Sequence, residues 1–133
     1  MLSSLNKPWN ETCAVIYATE DEFGHMLGTR FRSYGCWVVI ETDGHQLLET
    51  CLSLKPARPD YIVFDMLTSN LDFRTLYNRL KRTPETAHAH IIVFTTKGKA
   101  EEFTLVNSPD TVFLTPFDIE DLDADVHRNR TLL

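Results

Sequence analysis

"PDYIVFDMLTSNLDF", residues 59–73, drives four apolar residues, Tyr61 to Phe64, into a single carboxylate, Asp65, and then into a polar loop. A run of that length, rich in β-branched and aromatic side chains and bounded by turn residues, reads as a strand buried on both faces. Four further runs share its character: "CAVIYA" (13–18), "CWVVIE" (36–41), "IIVF" (91–94) and "TVFL" (111–114). Helical patterns lie between them. "EDEFGHMLGTRFRSYG" sets Phe23, Met26, Leu27, Phe31 and Tyr34 on one face and stops at Gly35. Its internal Gly24 and Gly28 weaken it by roughly 1 kcal/mol each relative to alanine, so it depends on packing.

The second helix, in "TDGHQLLETCLSL", gathers Leu47, Leu48, Cys51 and Leu52, and "KPARP" then forces an extended connection. A third, from about Asp72, turns Phe73, Leu76, Tyr77 and Leu80 inward. A fourth of weak pattern falls in "KGKAEEFTLV" (97–106), and a closing helix in "DIEDLDADVHRNR" buries Ile119, Leu122 and Val126. Five buried strands alternating with five helices predict an α/β fold, a parallel sheet with helices on both faces. A chain of 133 residues fits one domain, 12–131, behind a short tail, 1–11, that is polar apart from Leu2, Leu5 and Trp9. Chemistry in such sheets gathers at the carboxyl ends of the strands. The polar residues there are Thr19 and Glu20, Asp65, Thr95 and Thr96, and Thr115.

Composition excludes some classes. The net charge is −6, and the basic residues form only small clusters, at Lys81–Arg82 and near Arg128 and Arg130, which argues against direct nucleic-acid binding. No run approaches the roughly 18 apolar residues of a membrane span, and the N-terminus has no signal-peptide core. Cys13, Cys36 and Cys51 each sit in an apolar stretch without a CxxC pair, as buried thiols in a reducing compartment do. A cytoplasmic protein is expected.

The arrangement resembles the receiver domain of two-component response regulators, from about Cys13 to Val126. The match is strongest in "PDYIVFDMLTSNLDF", "RLKRTPETAHAHIIVFTT" and "FLTPFD". The resemblance implies a flavodoxin-like (βα)5 doubly wound fold with strand order 2-1-3-4-5. It places Asp65 where a receiver accepts a phosphoryl group from a histidine kinase, and Thr95 where the phosphate-sensing hydroxyl stands. Pro116 matches the proline after the fifth strand, where the preceding peptide is often cis. Asp72 and Phe73 replace the usual Asp-Gly.

The departures from that pattern bear on function. Counting back from Gly35, the acidic pair that holds Mg²⁺ in receivers falls on Ala18 and Thr19, neither a carboxylate. The lysine before the proline is replaced by Thr115 or deleted. Phosphoryl transfer relies on positioning and on countering charge. A Lewis-acid metal supplies several kcal/mol of that stabilisation, at about 1.4 kcal/mol per tenfold in rate. The resemblance therefore implies a degenerate receiver, not an enzyme, binding a protein partner without phosphorylation. No cofactor is expected. The alternative is a true phosphoacceptor in which Glu20 or Asp21 joins Asp65 around Mg²⁺. Against it, Glu20, Asp21 and Glu22 suit the first turn of a helix, and Thr19 with Glu22 reads as a capping box.

The implied partner is a sensor kinase, another response regulator or an output protein, or a second copy. The surface would be the fourth helix, fifth strand and fifth helix: 97–106, 111–114 and 118–130. Val112 or Phe113 takes the aromatic switch position, without a hydroxyl. His88 and His90 form an H-x-H pair with no third ligand and read as strand entry. Cys13 and Cys51 read as core. Trp37, on an expected edge strand, reads as packing, and Trp9 as an interface candidate. No GxGxxG or GxxxxGK[ST] cradle is present.

Overall fold

The structure, a computed structural model, describes residues 12–67, 69, 71–96 and 111–131, with the backbone alone at Asp21, Phe117 and 129–131. The five expected strands form one parallel sheet: β1 (Cys13–Tyr17), β2 (Trp37–Glu41), β3 (Tyr61–Asp65), β4 (His90–Phe94) and β5 (Thr111–Leu114), in the order β2-β1-β3-β4-β5. β1, β3 and β4 are buried along their whole length, as continuous apolar runs in the middle of a two-sided sheet must be. The edge strands β2 and β5 are half-buried. Register aligns Asp65 with Phe94, and Phe94 with Leu114.

Helices cover both faces. α1 (Asp21–Ser33) and α4 (Ile119–Thr131) enclose one core cluster, built from Ala14, Ile16, Leu27, Phe31, Leu122 and Val126 among others. α2 (Leu47–Leu52) and α3 (Phe73–Arg82) enclose the other, with Val15, Tyr17, Leu48, Phe64, Phe73 and Leu80. The helix expected over 97–106 lies outside the described residues, as does Trp9. Trp37 packs against the α2–α3 cluster. The three cysteines are buried and none is in a disulfide; burial, then the neighbouring Cys13, pushes the Cys51 thiol to about 12.

Two details of α1 differ from the expectation. Met26 is exposed, and the buried face is Leu27 and Phe31 with Gly24 and Gly28 beside them. The glycines are the reason: a Cβ on Gly24 would stand 3.0 Å from that of Ala18, and one on Gly28 3.3 Å from Ile40. The helix lies on the sheet along these two positions, which rotates Met26 outward. Thr19 does not cap it either. The N-cap is Glu20, without a side-chain cap bond, because the helix begins only at Asp21. Gly35 ends the connection at φ 89°, a conformation that favours glycine. Asp72 caps α3 through Thr75 N at 3.2 Å.

The cis bond expected before Pro116 is not there. The cis peptide among the described residues is Lys55–Pro56, and Thr115–Pro116 is trans. Pro116 opens a single 3₁₀ turn, 116–118, and a proline in that first position is already set for a helical turn without isomerising.

Candidate functional site

The carboxyl end of the sheet brings the expected residues together. Asp65, the last residue of β3, is 2% exposed. Its Oδ1 accepts a hydrogen bond from Leu67 N at 3.0 Å. Burial pushes its pKa above the usual carboxylate value; the Leu67 amide opposes that, and the charge of Glu20 adds to it. No cation contributes to its titration among the described residues.

Thr95 follows β4 directly beside it: Met66 N donates to Phe94 O at 2.9 Å, and Thr95 N to Leu114 O at 2.8 Å. The Thr95 side chain is buried, and its Oγ1 has no hydrogen-bond partner among the described residues. An orphaned buried hydroxyl costs about 1–3 kcal/mol.

The positions that the resemblance reads as replaced, Ala18, Thr19 and Thr115, have structural surroundings of their own. Ala18 N donates to Glu41 O at 3.1 Å, and its methyl is buried against α1 at Gly24. Thr19 and Glu20 are exposed at the rim, and Asp21 opens α1, its side chain lying outside the described residues. Thr115 is locked in a capping box: its N and Oγ1 both donate to Asp118 Oδ2, at 3.1 and 2.7 Å. That hydroxyl serves the start of α4.

Mg²⁺, which the resemblance implies, keeps several waters and is anchored by one or two carboxylates. The donor set does not fit a preformed site. Glu20 and Asp65 are within electrostatic reach of one another, but Ala18 offers a methyl where a third donor would stand. Among the described residues no group of three histidine, cysteine, aspartate or glutamate side chains could hold a metal ion.

Two features were not foreseen. Tyr17, at the end of β1, bonds Ser69 Oγ through its hydroxyl at 2.6 Å, and Ser69 Oγ accepts from Leu71 N at 3.0 Å, which ties the loop after Asp65 to β1. A tyrosine as the last residue of an otherwise aliphatic strand was the available signal. At the opposite end of the sheet His90 Nε2 and Asp125 Oδ2 are 2.7 Å apart, both buried, and Arg128 Nη2 donates to Asp125 Oδ1 at 3.3 Å. Asp125 lies three residues after Leu122 and next to Val126, on the inward face of the helix. His88 is exposed, so the H-x-H pair is not a joint site.

No protein-family description and no curated protein matches the chain. Solved structures do match its fold. A putative response regulator from Chloroflexus aurantiacus is 22% identical, with a TM-score of 0.73 over 90% of this chain and 97% of its own. A response regulator protein from Thermotoga maritima, solved with Mg²⁺–BeF, is 13% identical, with a TM-score of 0.70 over 88% and 97%. A sensor protein from Polaromonas sp. is 18% identical, with a TM-score of 0.70 over 88% and 94%. The five parallel strands in the order 2-1-3-4-5, with their helices, are the flavodoxin-like fold of receiver domains. No described helix is long and apolar enough to cross a membrane.

Proposed function

We propose that this chain is a receiver-fold signalling module of the two-component type that binds a protein partner without regulated phosphorylation. The observation that supports this reading most is the electrostatics of Asp65. A carboxylate that attacks a phosphoryl group needs positive charge around the transferred oxygens. Asp65 is buried, bonded to one backbone amide, and repelled by Glu20. The lysine position holds Thr115, already committed to Asp118. The loss of two cations, each able to contribute on the order of several kcal/mol, removes most of the drive for phosphoryl capture. The module is then no enzyme and needs no cofactor. Its partner is a sensor kinase, another response regulator or an output protein in the cytoplasm, met through β5, α4 and the segment 97–106.

A second reading has one observation in its favour. The orphaned Thr95 hydroxyl beside Asp65 and Glu20 is what a phosphoacceptor working with Glu20 or Asp21 and Mg²⁺ would keep. Titration of the folded chain with beryllofluoride and Mg²⁺, followed by NMR, separates the two. We expect no saturable shift at Asp65 or Thr95. Saturable, Mg²⁺-dependent shifts at both would overturn the first reading and establish the second.

A further inference from the structure

Charge on this fold is segregated between its two ends. Every described helix starts at the carboxyl end of the sheet and finishes at the amino end, because each connects parallel strands or follows the last one. Among the described residues at the carboxyl end Glu20, Glu22, Asp43, Asp72, Glu120 and Asp121 are all exposed, with Arg74 as the opposing lysine or arginine. The helix N-termini there supply roughly half a positive charge each, about +2 for four, too little to cancel six carboxylates.

The amino end divides. Beneath α1 and α4, Arg30 lies 3.6 Å from Asp123 and Arg128 lies 3.3 Å from Asp125, while Arg32 is exposed and forms no ion pair among the described residues. Beneath α3 the cations outnumber the acids. Lys55, Arg58, Arg79, Lys81 and Arg82 surround the turn after the helix, where Glu85 pairs with Lys55 at 3.2 Å and also feels Arg58. Arg79 and Arg82 are exposed and form no ion pair among the described residues. The helix dipole accounts for cations in the last turn of α3. It does not account for Lys55 and Arg58, which are on no helix.

We infer that this basic surface docks the acidic carboxyl end of a second copy of the chain, so that molecules associate head to tail. The two surfaces differ, so the contact is heterologous and builds chains or rings, not a two-fold dimer. The molecule itself supplies the complementary charges. An apolar partner finds little at α3, since the exposed large hydrophobic residues among those described, Met26 and Ile40, are on α1 and β2. At the acidic end the buried Thr95 hydroxyl, beside Asp65, has no hydrogen-bond partner among the described residues. The inference goes beyond the signalling reading and stands whether or not Asp65 takes a phosphoryl group.

Sedimentation of the full chain tests it, at salt concentrations where the Debye length is about 30 Å and then about 3 Å, roughly 10 mM and 1 M. Two charge-reversed variants complete the experiment: Arg79→Glu with Arg82→Glu, acidic at both ends, and Glu22→Lys with Glu120→Lys, which weakens the acidic end. All four side chains are exposed, and melting curves verify the fold. At about 1 mM chain, where weak contacts become populated, the native protein should rise about twofold in average mass at low salt and return to monomer at high salt. Each variant alone should stay monomeric, and an equimolar mixture should associate, because the acidic surface of the first meets the intact basic surface of the second. A native chain that is monomeric at low salt overturns the inference. So does association that ignores salt or survives in either variant, or a mixture of folded variants that stays monomeric.

Discussion

Asp65 and Asp125 are both buried carboxylates, at 2% and 4% exposure, one at each end of the same sheet. Their surroundings are opposite. For Asp125 burial acts to raise the pKa, but the hydrogen bond and charge of His90, with those of Arg128, outweigh it and hold the group below its usual value. For Asp65 burial also acts upward, one backbone amide resists, and Glu20 reinforces it. Burial sets the cost of a charge, and partners decide whether the fold recovers it. The amino end of the sheet is built for stability. The carboxyl end holds an unfavourable charge and a hydroxyl without a partner among the described residues.

The largest effect is expected from Asp125→Ala. It leaves His90 buried without its partner and frees Arg128, and removing one member of a buried pair costs about 3 kcal/mol, roughly ten degrees of melting temperature. Because the folded pKa of Asp125 is depressed, its contribution is complete above the unfolded carboxylate value of about 4 and is lost as pH falls through the folded value. The gap between native and variant, measured by circular dichroism, should therefore narrow below about pH 4. A gap under about 1 kcal/mol at pH 7 would mean that the two ends do not differ as described.

An intermediate effect is expected from Ala18→Asp, which returns a carboxylate to the rim. Ala18 is 2% exposed and faces Gly24 of α1, so the new side chain must displace the helix or sit against Asp65 and Glu20 without a cation. A cost of about 2 kcal/mol follows. Millimolar Mg²⁺ should raise the melting temperature of the variant while leaving the native protein unchanged. A native protein that gains as much as the variant would show that the rim already binds the ion.

The strands and the burial of β1, β3 and β4 were legible in the sequence because period and length are local signals, whereas the strand order came only from the resemblance. The placement of Asp65 and Thr95 at strand ends was legible too, while the resemblance made those ends neighbours. What escaped depends on contacts distant in the chain. Met26 fits a helical stripe with Leu27, but Gly24 and Gly28 choose which stripe meets the sheet. Thr19 and Glu22 have capping-box spacing, yet the helix starts at Asp21, since Ala18 is still bonded to Glu41 of β2. His90 and Asp125, 35 residues apart, could not be paired without knowing that α4 crosses the foot of β4. Thr115 was read, from the resemblance, as standing where a lysine is replaced or deleted. Its bonds to Asp118, which give the residue a structural task, needed coordinates.

The smallest effect tests the carboxyl end most directly. Asn in place of Asp65 keeps an oxygen for the Leu67 amide and removes the charge. Asp65 has its folded pKa raised, so above that value the ionised group destabilises the fold, chiefly by desolvation and then by Glu20. As pH falls through the raised value the folded state takes the proton before the unfolded state does, and the native protein recovers the difference. Asp65→Asn should thus melt at or slightly above the native temperature at pH 7, with the advantage shrinking as pH falls towards the ordinary carboxylate range. Partner affinity should stay within about tenfold, or 1.4 kcal/mol. A variant that melts lower at pH 7 would mean that Asp65 is held by a cation beyond the described residues. The contrast with Asp125 would then collapse, and the second reading of the site would gain the positive charge it lacks.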